Sequence, residues 1–198
     1  NVTPNVSIYN PVLGGTSTNI VDNRRKTEYF SGGTYLQDKI SVTDKLTLVG
    51  STRVDRTKID YTCIRGNCAE NTTKFSTDFV GSIGTIYNIN DVVSVYGSFA
   101  QSYNPSTAER VDESGKGLDS EKSDQFEVGT KLNVSEELNT ILSAYKINKY
   151  NVSEKNSSGY YELKGEVQTK GIEAEIQWLP TANWQFKTGY AYNKSEYL

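Results

Sequence analysis

The sequence predicts an all-β protein, specifically a segment of an antiparallel up-and-down transmembrane β-barrel with about eight strands. Three observations predict this fold class. Apolar residues alternate with polar or charged ones at a period of two, which is typical of a two-faced sheet. Short turns alternate with long polar connections, as in barrels that cross a bilayer. The chain shows little of the 3.6-residue periodicity that indicates an amphipathic helix.

The chain of 198 residues is predicted to be one domain segment, 1–198. Residues 1–23 lack periodicity and contain Pro4, Pro11, Gly14 and Gly15, so we expect an extracellular loop. Residues 24–198 are expected to hold strands and their connections. The predicted strands are 26–41, 45–61, 75–87, 92–103, 123–133, 138–152, 168–178 and one that starts at 184.

The face of each strand follows from the alternation. Leu48 and Val54 share one face of the second segment, whereas Arg53 and Asp55 share the other. The phase of segment 138–152 is ambiguous. A basic side chain at mid-bilayer costs about 2–4 kcal/mol, so charged faces are expected to line the lumen. The residues predicted to face the lumen are Arg53, Glu127, Lys131, Glu173 and Glu175. The aromatics expected in an interfacial girdle beside the short turns are Tyr87, Phe126, Trp178 and Trp184.

The connections are of two kinds. Short turns are predicted at 42–44, 88–91, 134–137 and 180–183, spaced by about 46 residues. Long polar connections are predicted at 55–74, 104–122 and 153–167. The strands of ~11–17 residues exceed the ~9–11 that a tilted spanning strand needs, whereas strands of a soluble sandwich usually have about 5–6.

Composition excludes several classes. No stretch approaches the ~20 apolar residues of a spanning helix, so a helical membrane protein is excluded. The net charge of −3 gives no sign of a nucleic-acid partner. The sequence has no His and no nucleophile-elbow motif, so it supports neither a hydrolase triad nor a zinc site, and we expect no cofactor or metal. The acidic stretch 112–119 lacks the ligand spacing of a calcium loop.

The two cysteines, Cys63 and Cys68, predict a local disulfide and therefore an oxidising compartment. Closing so short a loop contributes about 2 kcal/mol in the chain-entropy model. The alternative is a pair of free cytosolic thiols.

Seven segments carry a resemblance to a known family. They are 34–40, 46–55, 83–87, 93–105, 123–132, 145–152 and 165–176, for example Val-Ser-Val-Tyr-Gly-Ser-Phe-Ala-Gln-Ser-Tyr-Asn-Pro at 93–105. In this order and spacing the chain resembles the TonB-dependent siderophore receptor family over most of 30–198. It departs from the family's pattern at 51–55, where no aromatic precedes Asp55.

The resemblance implies an outer-membrane barrel with 22 strands around an N-terminal plug. It implies a receptor and transporter that takes up a ferric siderophore without making or breaking a bond. The implied partners are the siderophore, outer-membrane lipid, and TonB with ExbB and ExbD, acting through an N-terminal part outside this sequence. Neither the plug nor the C-terminal strands are expected in this segment, and we expect residues 1–198 alone to aggregate.

The family binds ferric chelates with aromatic and basic residues near the outward vestibule, which suit a large, partly apolar anion. The candidates on the long connections are Tyr61, Arg65, Tyr103, Arg110, Tyr160 and Tyr161. The alternative for each is a solvated loop residue or a girdle aromatic. Other possible functions are a receptor for cobalamin, haem or a glycan, a passive porin, and a soluble β-sandwich adhesin.

Overall fold

The computed structural model describes residues 24–66, 71–108 and 110–198, which form one antiparallel sheet of eight strands. The strands are β1 (Arg24–Ser41), β2 (Leu46–Arg65), β3 (Thr72–Asn88), β4 (Val93–Asn104), β5 (Glu121–Asn133), β6 (Leu138–Lys155), β7 (Tyr161–Thr181) and β8 (Trp184–Tyr197). Each strand pairs with its neighbours in sequence, from β1 to β8. The predicted up-and-down, all-β architecture is confirmed. The loop predicted for 1–23 lies outside the described residues.

The strands reach further toward the long connections than the sequence predicted. β2 continues to Arg65 instead of ending at 61, and β7 begins at Tyr161 instead of 168. The polar outer halves of these strands still pair, for example Asp60 with Thr73. The prediction was wrong there because polar residues were assigned to loops, although backbone pairing does not require apolar side chains. The long connections are therefore shorter than expected.

The register separates the two faces as the alternation predicted. Leu48, Val54 and Phe79 lie on one face, where the side chain of Phe79 is 68% exposed. Arg53 and Asp55 lie on the opposite face, which also carries the hydrogen bond between the hydroxyls of Ser51 and Ser82, 2.7 Å apart. Such large exposed apolar side chains on a sheet fit a face that contacts hydrocarbon.

The phase of β6, ambiguous in the sequence, is fixed by pairing. Leu142 is opposite Ala174, and Ala144 is opposite Ile172, which places these β6 residues on the apolar face. The phase changes near the outer end, where the register shifts between Lys149 and Val152. The bulge includes Asn151, whose φ of 56° is left-handed, a conformation that Asn tolerates better than most residues.

Aromatic side chains cluster at the short-turn end. Trp178 and Trp184 each stack against Phe186, with ring centroids 5.8 and 6.0 Å apart, as expected for an interfacial girdle. Phe126 does not belong to this group. It lies well inside β5, seven residues from the turn, with its ring 4.7 Å from that of Phe99. The prediction that Phe126 belongs to the girdle was wrong, because this residue lies too far along β5 from the short turn.

No helix able to span a membrane is found within the described ranges.

Candidate functional site

The connection 105–120 folds over the charged face of β2 and β3. Ile59 and Tyr61, both on β2, pack with Ala108 from the connection, and their side chains are 1%, 3% and 1% exposed. Leu118 is also buried. These four are the buried hydrophobic residues of the described chain. The small hydrophobic core therefore lies under this connection. The connection is a packed element rather than a solvated loop.

Two polar side chains of β3 hold the connection in place. The Lys74 ammonium donates to the backbone oxygens of Leu118 and of Ser106, at 3.4 Å for the latter. The Ser120 hydroxyl donates to Asp78 Oδ2 at 3.0 Å in a buried position. Buried carbonyls and carboxylates need such partners, because leaving one unsatisfied costs about 1–3 kcal/mol.

The tip of the connection is a tight hairpin closed by Asp112. Its carboxylate accepts hydrogen bonds from the Ser114 hydroxyl at 2.6 Å and from the backbone amides of Ser114 and Lys116 at 2.9 and 3.0 Å. These donors, the Ser114 hydroxyl foremost, lower the pKa of Asp112 from its ordinary value. Gly115 has a φ of +80°, which favours glycine at this turn.

Glu121 joins three strands at the base of the connection. Its side chain is only 7% exposed and accepts from Lys149 at 2.7 Å. Asn104 donates to the same carboxylate at 3.3 Å, and the Ser153 amide donates at 3.4 Å. The Arg110 guanidinium lies 3.8 Å away. A buried carboxylate that accepts from several donors is held in one geometry, so Glu121 is an anchor for the connection.

Arg110 and Tyr161, two of the predicted candidates, meet at this anchor. The guanidinium carbon of Arg110 lies 5.6 Å from the centroid of the Tyr161 ring, within the range of a cation–π contact. Arg110 also donates to the Ser153 hydroxyl, and the Tyr161 amide donates to the Val111 carbonyl at 3.0 Å. The side chain of Arg110 remains 39% exposed, so the pair is held in position yet accessible.

Of the other four candidates, Tyr61, Arg65 and Tyr103 lie on β2 and β4, and Tyr160 directly precedes Tyr161. Tyr61 is buried beneath the connection. Arg65 ends β2 at the outer rim and is exposed. Tyr103 is half-buried near the end of β4 and interacts with Asp55. Tyr160 is exposed just before β7.

The predicted disulfide is at the tip between β2 and β3. Cys63 is disulfide-bonded, and its amide donates to the Asn71 side chain at 2.8 Å. Cys68 lies outside the described residues, so the Cys63–Cys68 pairing stays a prediction.

A second polar group lies lower on the charged face, toward the short turns. The Tyr96 hydroxyl donates to Glu127 Oε1 at 2.7 Å, and the Lys131 ammonium lies 5.6 Å from the centre of the Tyr96 ring. Glu175 pairs with Lys187 at 2.9 Å. Tyr96, Glu127 and Glu175 border a cavity of about 310 Å³. In the part of the chain that is described, no group of His, Cys, Asp and Glu could hold a metal ion.

Sequence analysis missed Lys74, Asp78 and Glu121, which organise the outer end. Their partners are 28–44 residues away along the chain, so no local pattern indicates them. The one available signal was charge within strands otherwise built from neutral polar residues.

Comparison with known proteins gives one family. The TonB dependent receptor-like β-barrel domain matches residues 1–198. The ferripyoverdine receptor of Pseudomonas aeruginosa is 30% identical over 189 residues, which are 90% of this chain and 22% of that protein. A ferric-pyoverdine BN7/BN8 receptor of Pseudomonas putida is 31% identical over 162 residues, or 80% of this chain and 20% of that protein. The chain thus spans about a fifth of these relatives.

Solved structures give the same fold. The P. aeruginosa ferripyoverdine receptor bound to ferripyoverdine aligns with a TM-score of 0.70 and 27% identity, covering 88% of this chain and 24% of that one. The siderophore receptor PiuA of Acinetobacter baumannii aligns with a TM-score of 0.77 and 23% identity, covering 87% and 26%. The second likeness supports the fold alone.

Proposed function

The chain belongs to the TonB-dependent receptor β-barrel family, and on that premise we propose that it forms part of a receptor that imports a ferric siderophore, energised by TonB. The protein is an outer-membrane protein, and its family consists of receptors and transporters rather than enzymes. The segment supplies eight neighbouring strands of the wall and the connections above them. The predicted TonB, ExbB and ExbD partnership would act through parts of the receptor outside this sequence.

The observation that carries the proposal is the exposed Arg110–Tyr161 pair on the anchored connection. A ferric chelate is large, partly apolar and often anionic, so it suits a fixed cation beside an aromatic face. The anchor at Glu121 keeps the pair in one geometry, which lowers the entropy lost on binding. Two relatives that cover most of this chain are named as ferric-pyoverdine receptors, which supports the chelate class.

In this proposal the residues bind and position the cargo, and no bond is made or broken. Arg110 supplies charge, Tyr161 supplies an aromatic face, and Tyr160 stands exposed one residue away. Arg65 and Tyr103 are kept as further candidates at the outer rim. Tyr61 would contribute by supporting the connection from below, because its side chain is buried.

Uptake of iron-labelled ferric pyoverdine and ferrioxamine B by a deletion strain carrying the full-length receptor tests the proposal. We expect one of these probes to accumulate in a TonB-dependent manner. Arg110→Gln should weaken its binding by about fivefold, because an exposed cation–π contact and its charge are worth about 1 kcal/mol. Arg56→Gln, at an exposed position on β2, is the matched control and should leave uptake unchanged.

The same strain distinguishes the alternatives. Uptake of haem, cobalamin or an oligosaccharide in place of both ferric probes would assign another cargo. Passive entry of small solutes without dependence on TonB would indicate a porin. An equal loss with Arg110→Gln and Arg56→Gln would contradict the role given to the Arg110–Tyr161 pair.

A further inference from the structure

Three lysines stand in one row across the apolar face of the sheet. Lys146 of β6 is directly opposite Lys170 of β7, and Lys170 is directly opposite Lys194 of β8. Directly opposed residues in a sheet lie about 5 Å apart, so three positive charges fall within about 10 Å. Like charges placed directly opposite one another destabilise a sheet. The stability of the sheet therefore does not explain why these three lysines lie together.

The surroundings of the row neutralise little of this charge. Among the described residues, Lys194 is within 3.7 Å of Glu196, and neither Lys146 nor Lys170 has a carboxylate within ion-pairing distance. Beyond Glu196, the nearest outward-facing positions on β6 and β7 toward the rim are Asn148 and Gln168. Both are neutral and hydrogen-bond to each other at 3.0 Å, whereas the carboxylate of Asp124, directly opposite Asn148 on β5, accepts a hydrogen bond from Gln101 at 3.2 Å. The row thus keeps an excess of positive charge.

The row closes the upper end of an apolar groove. The groove has a volume of about 610 Å³; Phe126, directly opposite Lys146, extends the row on β5, and below the row the groove is lined by Val128, Ala144, Ile172 and Tyr192. Four of these side chains, Phe126, Val128, Ile172 and Tyr192, are 53–61% exposed. Apolar side chains this open to one side of a barrel wall are expected to contact acyl chains.

The height of the row matches the edge of the hydrocarbon layer. From Trp178 in the girdle to Lys170, the strand advances eight residues, or about 27 Å along its length. At a tilt of ~40° this is about 21 Å along the barrel axis, close to the ~25 Å of an apolar barrel band. Lysines at this height can extend their ammonium groups into the headgroup layer.

We propose that Lys146, Lys170 and Lys194 bind the phosphate groups of a phosphorylated lipid of the outer leaflet, whose acyl chains lie in the groove below. An ammonium row supplies several donors to phosphate oxygens, and the apolar groove takes the chains. A phosphorylated lipid also offsets the repulsion between the three lysines. The occupant is a membrane lipid, because only a molecule with both parts fills both parts of the surface.

Binding of lipid A to the detergent-solubilised full-length receptor, followed by native mass spectrometry, tests the proposal. The bisphosphorylated form is compared with its dephosphorylated form and with inorganic phosphate. We expect the receptor to retain the bisphosphorylated lipid, but neither the dephosphorylated lipid nor inorganic phosphate. Each basic residue near an anionic lipid surface is worth about fivefold in affinity, so the triple substitution Lys146→Gln, Lys170→Gln, Lys194→Gln should weaken binding about a hundredfold.

Two further variants keep the test decisive. Replacing the same three lysines by Arg keeps the charge and should retain the lipid. Replacing Lys39, Lys116 and Lys155 by Gln changes the net charge equally at exposed positions elsewhere and should also retain it. Equal binding of phosphorylated and dephosphorylated lipid by the wild type would overturn the proposal without any variant. An equal loss in the control triple would overturn it as well.

Discussion

The two ends of the strands are built in different ways. At the short-turn end, neighbouring side chains close the first two turns: Asn90 accepts from the amides of Val92 and Val93 at 2.9 and 2.8 Å, and Thr43 accepts from that of Leu46 at 3.0 Å. At the outer end, the connection 105–120 is held by side chains about 30–45 residues away. One end is specified locally, whereas the other requires the sheet to be assembled first.

The two ends of the strands are expected to respond differently to substitution. Outer connections carry cargo recognition in the proposal, and they are fastened by a few long-range contacts on a shared sheet. The short turns carry none, and the side chains that close them are local, apart from the bond from Lys45 to the Ile89 carbonyl of the next turn. The difference predicts that single substitutions at the outer end act over a distance, while those at the inner end stay local.

The largest effect is expected from Ile59→Ala. Ile59 is 1% exposed beneath the connection, and removing buried methyl groups there should destabilise the packed connection by about 2–4 kcal/mol. Hydrogen exchange of the full-length receptor in nanodiscs should show faster exchange of amides 110–118. The matched control is Ile89→Ala in a short turn, where 46% exposure predicts a change within about 0.5 kcal/mol. Equal effects of Ile59→Ala and Ile89→Ala would contradict the difference between the two ends of the strands.

A smaller effect is expected from Lys74→Met. The apolar stem is kept, but the backbone oxygens of Leu118 and Ser106 lose their donor, at a cost of about 1–3 kcal/mol. Trypsin should then cut after Lys116 faster than in the wild type.

Lys45→Met is the control for that experiment. Lys45 makes a similar bond to the Ile89 carbonyl, at 3.3 Å, but in an exposed turn. Water replaces that bond, so the cleavage rate after Lys116 should not change. An unchanged rate in Lys74→Met as well would show that the ammonium does not hold the connection.

The contrast also explains how much could be predicted from the sequence. The short turns and the two faces follow from local patterns, such as Asn90 and Asp91 between apolar runs, and both were predicted. The alternation of β6 was ambiguous because Ile141 and Ile147 are apolar on the charged face, and only pairing with β5 and β7 settles it.

The residues named for the candidate site stay a prediction, and the structure shows where each of them lies. Residue type alone selected Arg110 and Tyr161, and the structure brings them together. The same reasoning selected Tyr61, because a Tyr in a polar stretch looks like a loop residue, yet the stretch continues as β2 and is covered by the connection. The role of Glu121 needed the pairing of β5 with β6, which brings Lys149 alongside. Long-range register is the missing information in each case.

A third effect, smaller again, is expected from Asn90→Ala at the short-turn end. Its side-chain oxygen accepts two backbone amides, and losing them in an exposed turn should cost about 0.5–1.5 kcal/mol. Asn90→Asp keeps the acceptor and should be close to wild type. Exchange should rise at Val92 and Val93 only. A change at amides 110–118 would show that the two ends are coupled after all.

The smallest effect is a pH dependence at the tip of the connection 105–120, which is closed by local hydrogen bonds. The bonds from Ser114 and Lys116 hold the pKa of Asp112 below its ordinary value. The stabilisation is therefore complete above the ordinary pKa of about 4 and is lost as the pH falls through the lower folded pKa. Exchange of the Ser114 and Lys116 amides, corrected with a free peptide, should accelerate on acidification. Asp112→Asn keeps an acceptor that does not titrate, so its profile should be flat; the same acceleration in this variant would mean that another group opens the tip.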